Sequence, residues 1–268
     1  MLAVIVLACY FGASIWLLTS ASEAQLRIAP GQRSAGIALG TVAFVLHGWL
    51  LWIALSSAAM AFSVADTASL VGWTIALIAL ITSLQRPRFA GACALLLVLA
   101  GIVAVSTHRE APGFVVEHRD WRLVAHVVLS TLAYALLSVA AVLAVAVTAV
   151  HRRLRSRKPV GGLRVLPPLE SLEGTMFQAL VAGWILLSLA LFSGFVFVQD
   201  LMAQHLAHKT ILSCLAWAVF AALIFGRWRY GWRGPRLTYW VLSGVALLLL
   251  AYFGAKIVLE SVLGRHWG

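Results

Sequence analysis

Residues 121–153 read WRLVAHVVLSTLAYALLSVAAVLAVAVTAVHRR, and this stretch decides the fold. From Leu123 to Val150 the run holds no formally charged residue. Its polar content is His126, Tyr134 and four small hydroxyl residues, Ser130, Thr131, Ser138 and Thr148. A helix needs about 20 apolar residues to cross a bilayer core, and this run exceeds that. Trp121-Arg122 anchors one end at an interface, and His151-Arg152-Arg153 marks the other.

Working outward, the whole chain has the same character. Of 268 residues 62% are hydrophobic and only 11% charged. Soluble domains are nearer half apolar and a quarter charged, so composition alone predicts a membrane protein. Eight runs qualify as spans: Leu2–Thr19, Ile37–Leu55, Thr67–Leu84, Phe89–Thr107, Leu123–Val150, Met176–Val198, Thr210–Phe225 and Leu237–Val262. The fold class expected is all-α, a polytopic bundle of about eight transmembrane helices, with residues 1–268 forming one membrane domain. Gln85-Arg86-Pro87-Arg88 joins the third and fourth spans in a tight hairpin, with proline as helix breaker. Ala21-Ser22-Glu23-Ala24 resembles a cleavage site, but no basic leader precedes the first run, which is expected to be an uncleaved span.

Charge orients the bundle. Loops after the odd-numbered spans carry fourteen of the twenty basic residues against three of the nine acids. The opposite side carries five basic residues against six acids, and Lys256 lies in the last span. By the positive-inside rule the basic loops are cytoplasmic and both termini lie outside. Topology accounts for the net charge of +11, so nucleic acid is not an expected partner. The inner segment His151–Glu173 is expected to be a solvated basic loop touching anionic lipid. Cys9, Cys93 and Cys214 sit singly in apolar runs and read as small hydrophobes.

Histidine follows the opposite bias to arginine. His108, His118, His126, His205, His208 and His266 fall in outer loops or at outer helix ends, and only His151 in an inner loop. Ionisable groups in or at the edge of a membrane are costly, which makes them functional candidates. His126 lies about one turn into span five, with Ser130 and Tyr134 continuing its face at i+4 and i+8. His208 opens span seven, on a different helix at matching depth. Two such imidazoles suit the two sides of a haem iron. His205 competes with His208, and His118 with His126. His47 lies deeper, in span two, as either a core hydrogen-bonder or a transient haem contact. Lys256 and Glu260, at i and i+4, suit an internal ion pair or a contact between Lys256 and a haem propionate.

Several segments taken together resemble the cytochrome c assembly (CcsA/CcmC-like) family of membrane haem-handling proteins. They are Trp121–His126, Leu166–Glu173, Ala207–Ser213, Arg227–Gly234 and Tyr252–Lys256. The likeness covers residues 120–262 best and points to the branch that includes YpjD and HemX. It implies a bacterial inner-membrane protein, haem b as the bound group, and cytochrome c maturation proteins as partners beside the lipid bilayer. It assigns His126 as the first outer haem histidine. His208 stands where larger relatives carry a tryptophan-rich platform, and the loop Gln199–Ala207 has no tryptophan. That departure favours holding or delivering haem over attaching it.

The function expected is therefore haem binding in support of cytochrome c biogenesis or haem supply, with His126 and His208 as axial ligands. No nucleophile–base pair, phosphate loop or carboxylate pair lies on one face of a span, so an enzyme is not expected. The alternatives are a haem or divalent-metal transporter, and a structural partner in a membrane assembly complex. Neither repeated halves nor broken mid-span helices are evident, as a transporter would often show.

Overall fold

The computed structural model describes residues 2–23, 30–56, 61–62, 64–106, 114–115, 121–156, 161–197 and 204–251. Its elements are helices α1 (Leu2–Glu23), α2 (Pro30–Ser56), α3 (Val64–Gln85), α4 (Ala90–Ser106), α5 (Trp121–Arg155), α6 (Leu169–Phe197), α7 (Gln204–Tyr230) and α8 (Pro235–Leu249). α1 to α7 each contain a segment long and apolar enough to cross a membrane. α8 is apolar but shorter within the described residues. The protein is thus an all-α polytopic bundle, as expected. A two-residue antiparallel pairing, Ala61 with Val115 and Phe62 with Phe114, is a minor addition.

α2, α5 and α7 overrun the apolar runs that announce them, because backbone hydrogen bonding continues past the hydrocarbon edge. α7 begins at Gln204, not Thr210, so His205 and His208 both fall on its first two turns. Proline places the breaks. Arg86 leaves the helical region at φ −128°, ψ 82°, as the residue before Pro87 must, and α3 stops at Gln85. Gly231 and Gly234, at φ 64° and 63°, make the turn ahead of Pro235, which opens α8.

The chain forms two compact units, Met1–Glu117 with Val145–Gly174, and His118–Ala144 with Thr175–Gly268. In the first, α1 packs on α2 and α4, and α3 on α2 and α4. Lipid-soluble helices gain little from hydrophobic burial against each other, so close backbone approach and polar ties matter more. Gly36 and Gly40, one turn apart, provide the approach. A Cβ at Gly36 would lie 3.1 Å from Trp16 of α1, and one at Gly40 2.9 Å from Leu80 of α3. The ties are side chains reaching carbonyls. Ser14 shares its proton between Tyr10 of its own helix and Ala94 of α4, at 2.7 and 3.0 Å. Trp73 donates Nε1 to the Phe44 carbonyl at 3.0 Å, its ring stacked on Phe44. The Arg33 guanidinium donates to the carbonyls of Ser83 and Leu84, satisfying two of the orphan acceptors at the end of α3.

The segment expected as a solvated loop, His151–Glu173, is only partly that. α5 runs to Arg155, a 3-10 turn spans Gly161–Val165, and α6 starts at Leu169. Pro167 is buried and Leu172 is fully so. The Val165 carbonyl meets Gly91 of α4 where no side chain could fit. Leu163, Val165 and Leu166, around the exposed Arg164, are half-buried and Leu172 is fully buried, and this apolar packing overrides the charge pattern. Arg152, Arg153 and Arg155 remain exposed, as read from the sequence.

In the second unit α7 packs on α8, with Gly244 beneath the Phe220 ring. α6 and α7 are joined by a closed hydrogen-bond ring. Trp217 donates Nε1 to Ser188 Oγ at 2.8 Å, Ser188 donates to the Trp184 carbonyl at 2.8 Å, and Trp184 donates Nε1 to the Trp217 carbonyl at 3.3 Å. The two indoles stack at 5.6 Å between centroids. Outward-facing positions stay apolar, Phe192 at 68% exposure among them, as lipid contact requires.

Candidate functional site

His126 lies on the second turn of α5, half-buried. Its Nδ1 is 2.9 Å from Ser193 Oγ of α6, and its Nε2 is 3.5 Å from Ser130 Oγ, one turn along α5. Ser193 is 7% exposed and donates its own proton to the Ala190 carbonyl at 2.8 Å. The ring rests against Gly194, where a Cβ would sit 3.3 Å from the imidazole Cε1. Tyr134, two turns from His126, donates to the Leu248 carbonyl of α8 at 3.2 Å. The face His126–Ser130–Tyr134 therefore looks into protein, as its spacing predicts. At the helix start Arg122 stands 5.9 Å from the Trp121 ring centroid, one turn before His126.

His47 sits in the other unit. It is 1% exposed, with Nε2 3.0 Å from Ser69 Oγ of α3 and Nδ1 3.4 Å from the Tyr10 hydroxyl of α1. Both ring nitrogens thus face hydroxyls from neighbouring helices. Such contacts are those of a core hydrogen-bonder, one of the two roles read from sequence. The backbone of His208 falls on α7, but its side chain lies outside the described residues, as does that of His205. Lys256, Glu260, His108, His118 and His266 also lie outside them.

Sequence reasoning missed Ser193 and Gly194. Ser193 follows His126 by 67 positions, and no local periodicity links them. The available signal was a small polar residue beside glycine inside an otherwise apolar span. Such a pair marks a place where a neighbouring helix brings something bulky or polar.

Chemically, the arrangement offers an imidazole with Nδ1 hydrogen-bonded to Ser193 and Nε2 at 3.5 Å from the Ser130 hydroxyl. That fits a single axial ligand for a metal macrocycle. An imidazole engaged at one nitrogen and free to ligate through the other is the usual state of a metal-bound histidine.

A bundle of apolar helices, seven of them long enough to span among the described residues, defines a multi-pass membrane protein. The model of the family described as Cytochrome C assembly protein matches residues 35–263, and the chain belongs to that family. It is 34% identical over 157 residues to the inner membrane protein YpjD of Escherichia coli strain K12, covering 58% of this chain and 56% of that one. It is 26% identical over 186 residues to the cytochrome c biogenesis protein CcsA of Prochlorococcus marinus strain MIT 9303, covering 59% and 58%. It is 26% identical over 134 residues to protein HemX of Brevibacillus brevis, covering 49% of each. The matched region spans about half the length of these relatives. No solved structure matches the chain.

Proposed function

We propose that this protein is a multi-pass haem-binding protein of the bacterial inner membrane that supports cytochrome c biogenesis or regulates haem supply. His126 carries the proposal, because its ring is held by Ser193 in the geometry an axial ligand needs, in a chain of the cytochrome c assembly family. His208, on α7, is the second ligand. Arg122, one turn before His126, and Lys256 are the cationic partners for propionates. Haem b, if bound, would supply an iron centre and two propionates; His126 and His208 would hold the iron, and Arg122 and Lys256 would meet the propionates.

The fourteen basic loop residues support, by the positive-inside rule, cytoplasmic inner loops with the histidine-rich side outside. Inner-membrane residence and a role in cytochrome c biogenesis follow the names of YpjD and CcsA. On this reading the protein is a carrier and not an enzyme, and its partners are haem, lipid and other maturation proteins.

Purification followed by haem quantitation and an absorption spectrum tests the proposal. The expected result is a Soret band of bis-histidine type that is lost in the His126→Ala, His208→Ala double variant. Normal haem loading in that variant sinks it. A haem-free protein that co-purifies with maturation proteins points instead to a structural partner.

A further inference from the structure

The hydroxyl of Ser193 carries one proton and has two acceptors within reach, the Ala190 carbonyl at 2.8 Å, which can only accept, and His126 Nδ1 at 2.9 Å. With that proton on the carbonyl, the serine oxygen presents lone pairs to His126 and the imidazole donates through Nδ1. A neutral imidazole has one N–H, which leaves the lone pair on Nε2. Nε2 has the Ser130 hydroxyl at 3.5 Å, the outer limit of hydrogen bonding.

We infer that Ser193 is a positioning residue that fixes His126 as the Nδ1–H tautomer and makes Nε2 the nitrogen offered to iron. The inference deepens the haem reading of His126 and rests on it. Three features support a role beyond helix packing. Ser193 is buried, so water does not compete for the Nδ1 proton. The bond joins two helices, so it sets the ring's orientation as well as its protonation. Gly194 leaves the ring edge against bare backbone, with Cε1 3.3 Å from where a Cβ would stand, and so limits its rotation. Partners of this kind orient the ligating ring and raise its basicity, and losing one typically lowers metal affinity by about 10–100-fold.

The test separates this inference from the haem reading. Haem-free protein labelled with 15N-histidine reports the tautomer directly, with the His126 signal assigned by difference against His126→Gln. The wild-type ring is expected as Nδ1–H. Ser193→Ala is expected to move it toward Nε2–H, and Ser193→Thr, which keeps the hydroxyl, to preserve it. In a haem titration Ser193→Ala is expected to bind about 10–100-fold more weakly than wild type, with Ser193→Thr close to wild type. Wild-type His126 found as Nε2–H overturns the inference even where the variants fold poorly. So does a tautomer unchanged in Ser193→Ala. Tautomers that behave as expected in a protein that takes up no haem uphold the Ser193 assignment and overturn the haem reading instead.

Discussion

His47 Nε2 lies 3.0 Å from the Ser69 hydroxyl, joining α2 to α3 inside a span where water is scarce. With Tyr10 reaching the other ring nitrogen from α1, three helices share one imidazole. Beside the side-chain-to-carbonyl ties elsewhere in the bundle, such a hub specifies how these three helices pack. Interhelical hydrogen bonds of this kind contribute on the order of 0.6–2 kcal/mol each in membranes.

Replacing His47 by leucine should therefore destabilise the protein by about 1–3 kcal/mol, since two buried hydroxyls lose their partner. Haem bound per folded molecule should stay at the wild-type level. Thermal unfolding in detergent and haem quantitation on the folded fraction measure the two effects. Haem loss without loss of stability would show that His47 contacts haem.

Gly91 faces the Val165 backbone so closely that no Cβ fits, the built atom lying 2.9 Å from the carbonyl carbon. Gly91→Ala should push the 161–165 turn off α4 and cost about 1–3 kcal/mol. Limited proteolysis should then cut between Arg152 and Arg164 faster than in wild type. An unchanged digestion rate would argue against this packing.

Trp217→Phe keeps the stacking ring and deletes the Nε1 donor to Ser188. A loss of about 0.6–2 kcal/mol is expected, with the α6–α7 pairing kept. Ser188→Ala removes the acceptor from the same ring, so the double variant should be less than additive. Full additivity of the two unfolding free energies would refute the coupling.

Gly194→Ala brings a methyl group to 3.3 Å from His126 Cε1, a contact that a small ring shift can absorb. Gly194→Val, with a branched side chain, cannot be accommodated that way. Haem affinity should fall modestly in the first and by at least about tenfold in the second, as losing ligand orientation does. Circular dichroism of both variants checks that the helices persist.

Much of this was legible in the chain itself. The length and apolarity of runs such as Leu123–Val150 dictate spanning helices, because a backbone in hydrocarbon must satisfy its own hydrogen bonds. The face His126–Ser130–Tyr134 followed from helical periodicity, and the hairpin at Pro87 from the chemistry of proline. The segment around Leu172 was harder, since its charges describe one side of a strand of chain whose other side is buried.

Sequence alone thus determined the class of fold, the helices and the candidate histidines, all of which depend on local composition and period. Only the tertiary structure decided what His126 and His47 meet. Ser193 against His126, and Tyr10 and Ser69 against His47, are contacts between helices far apart in the chain. They arise from which faces pack together, and the uniformly apolar spans carry almost no pattern to announce that choice.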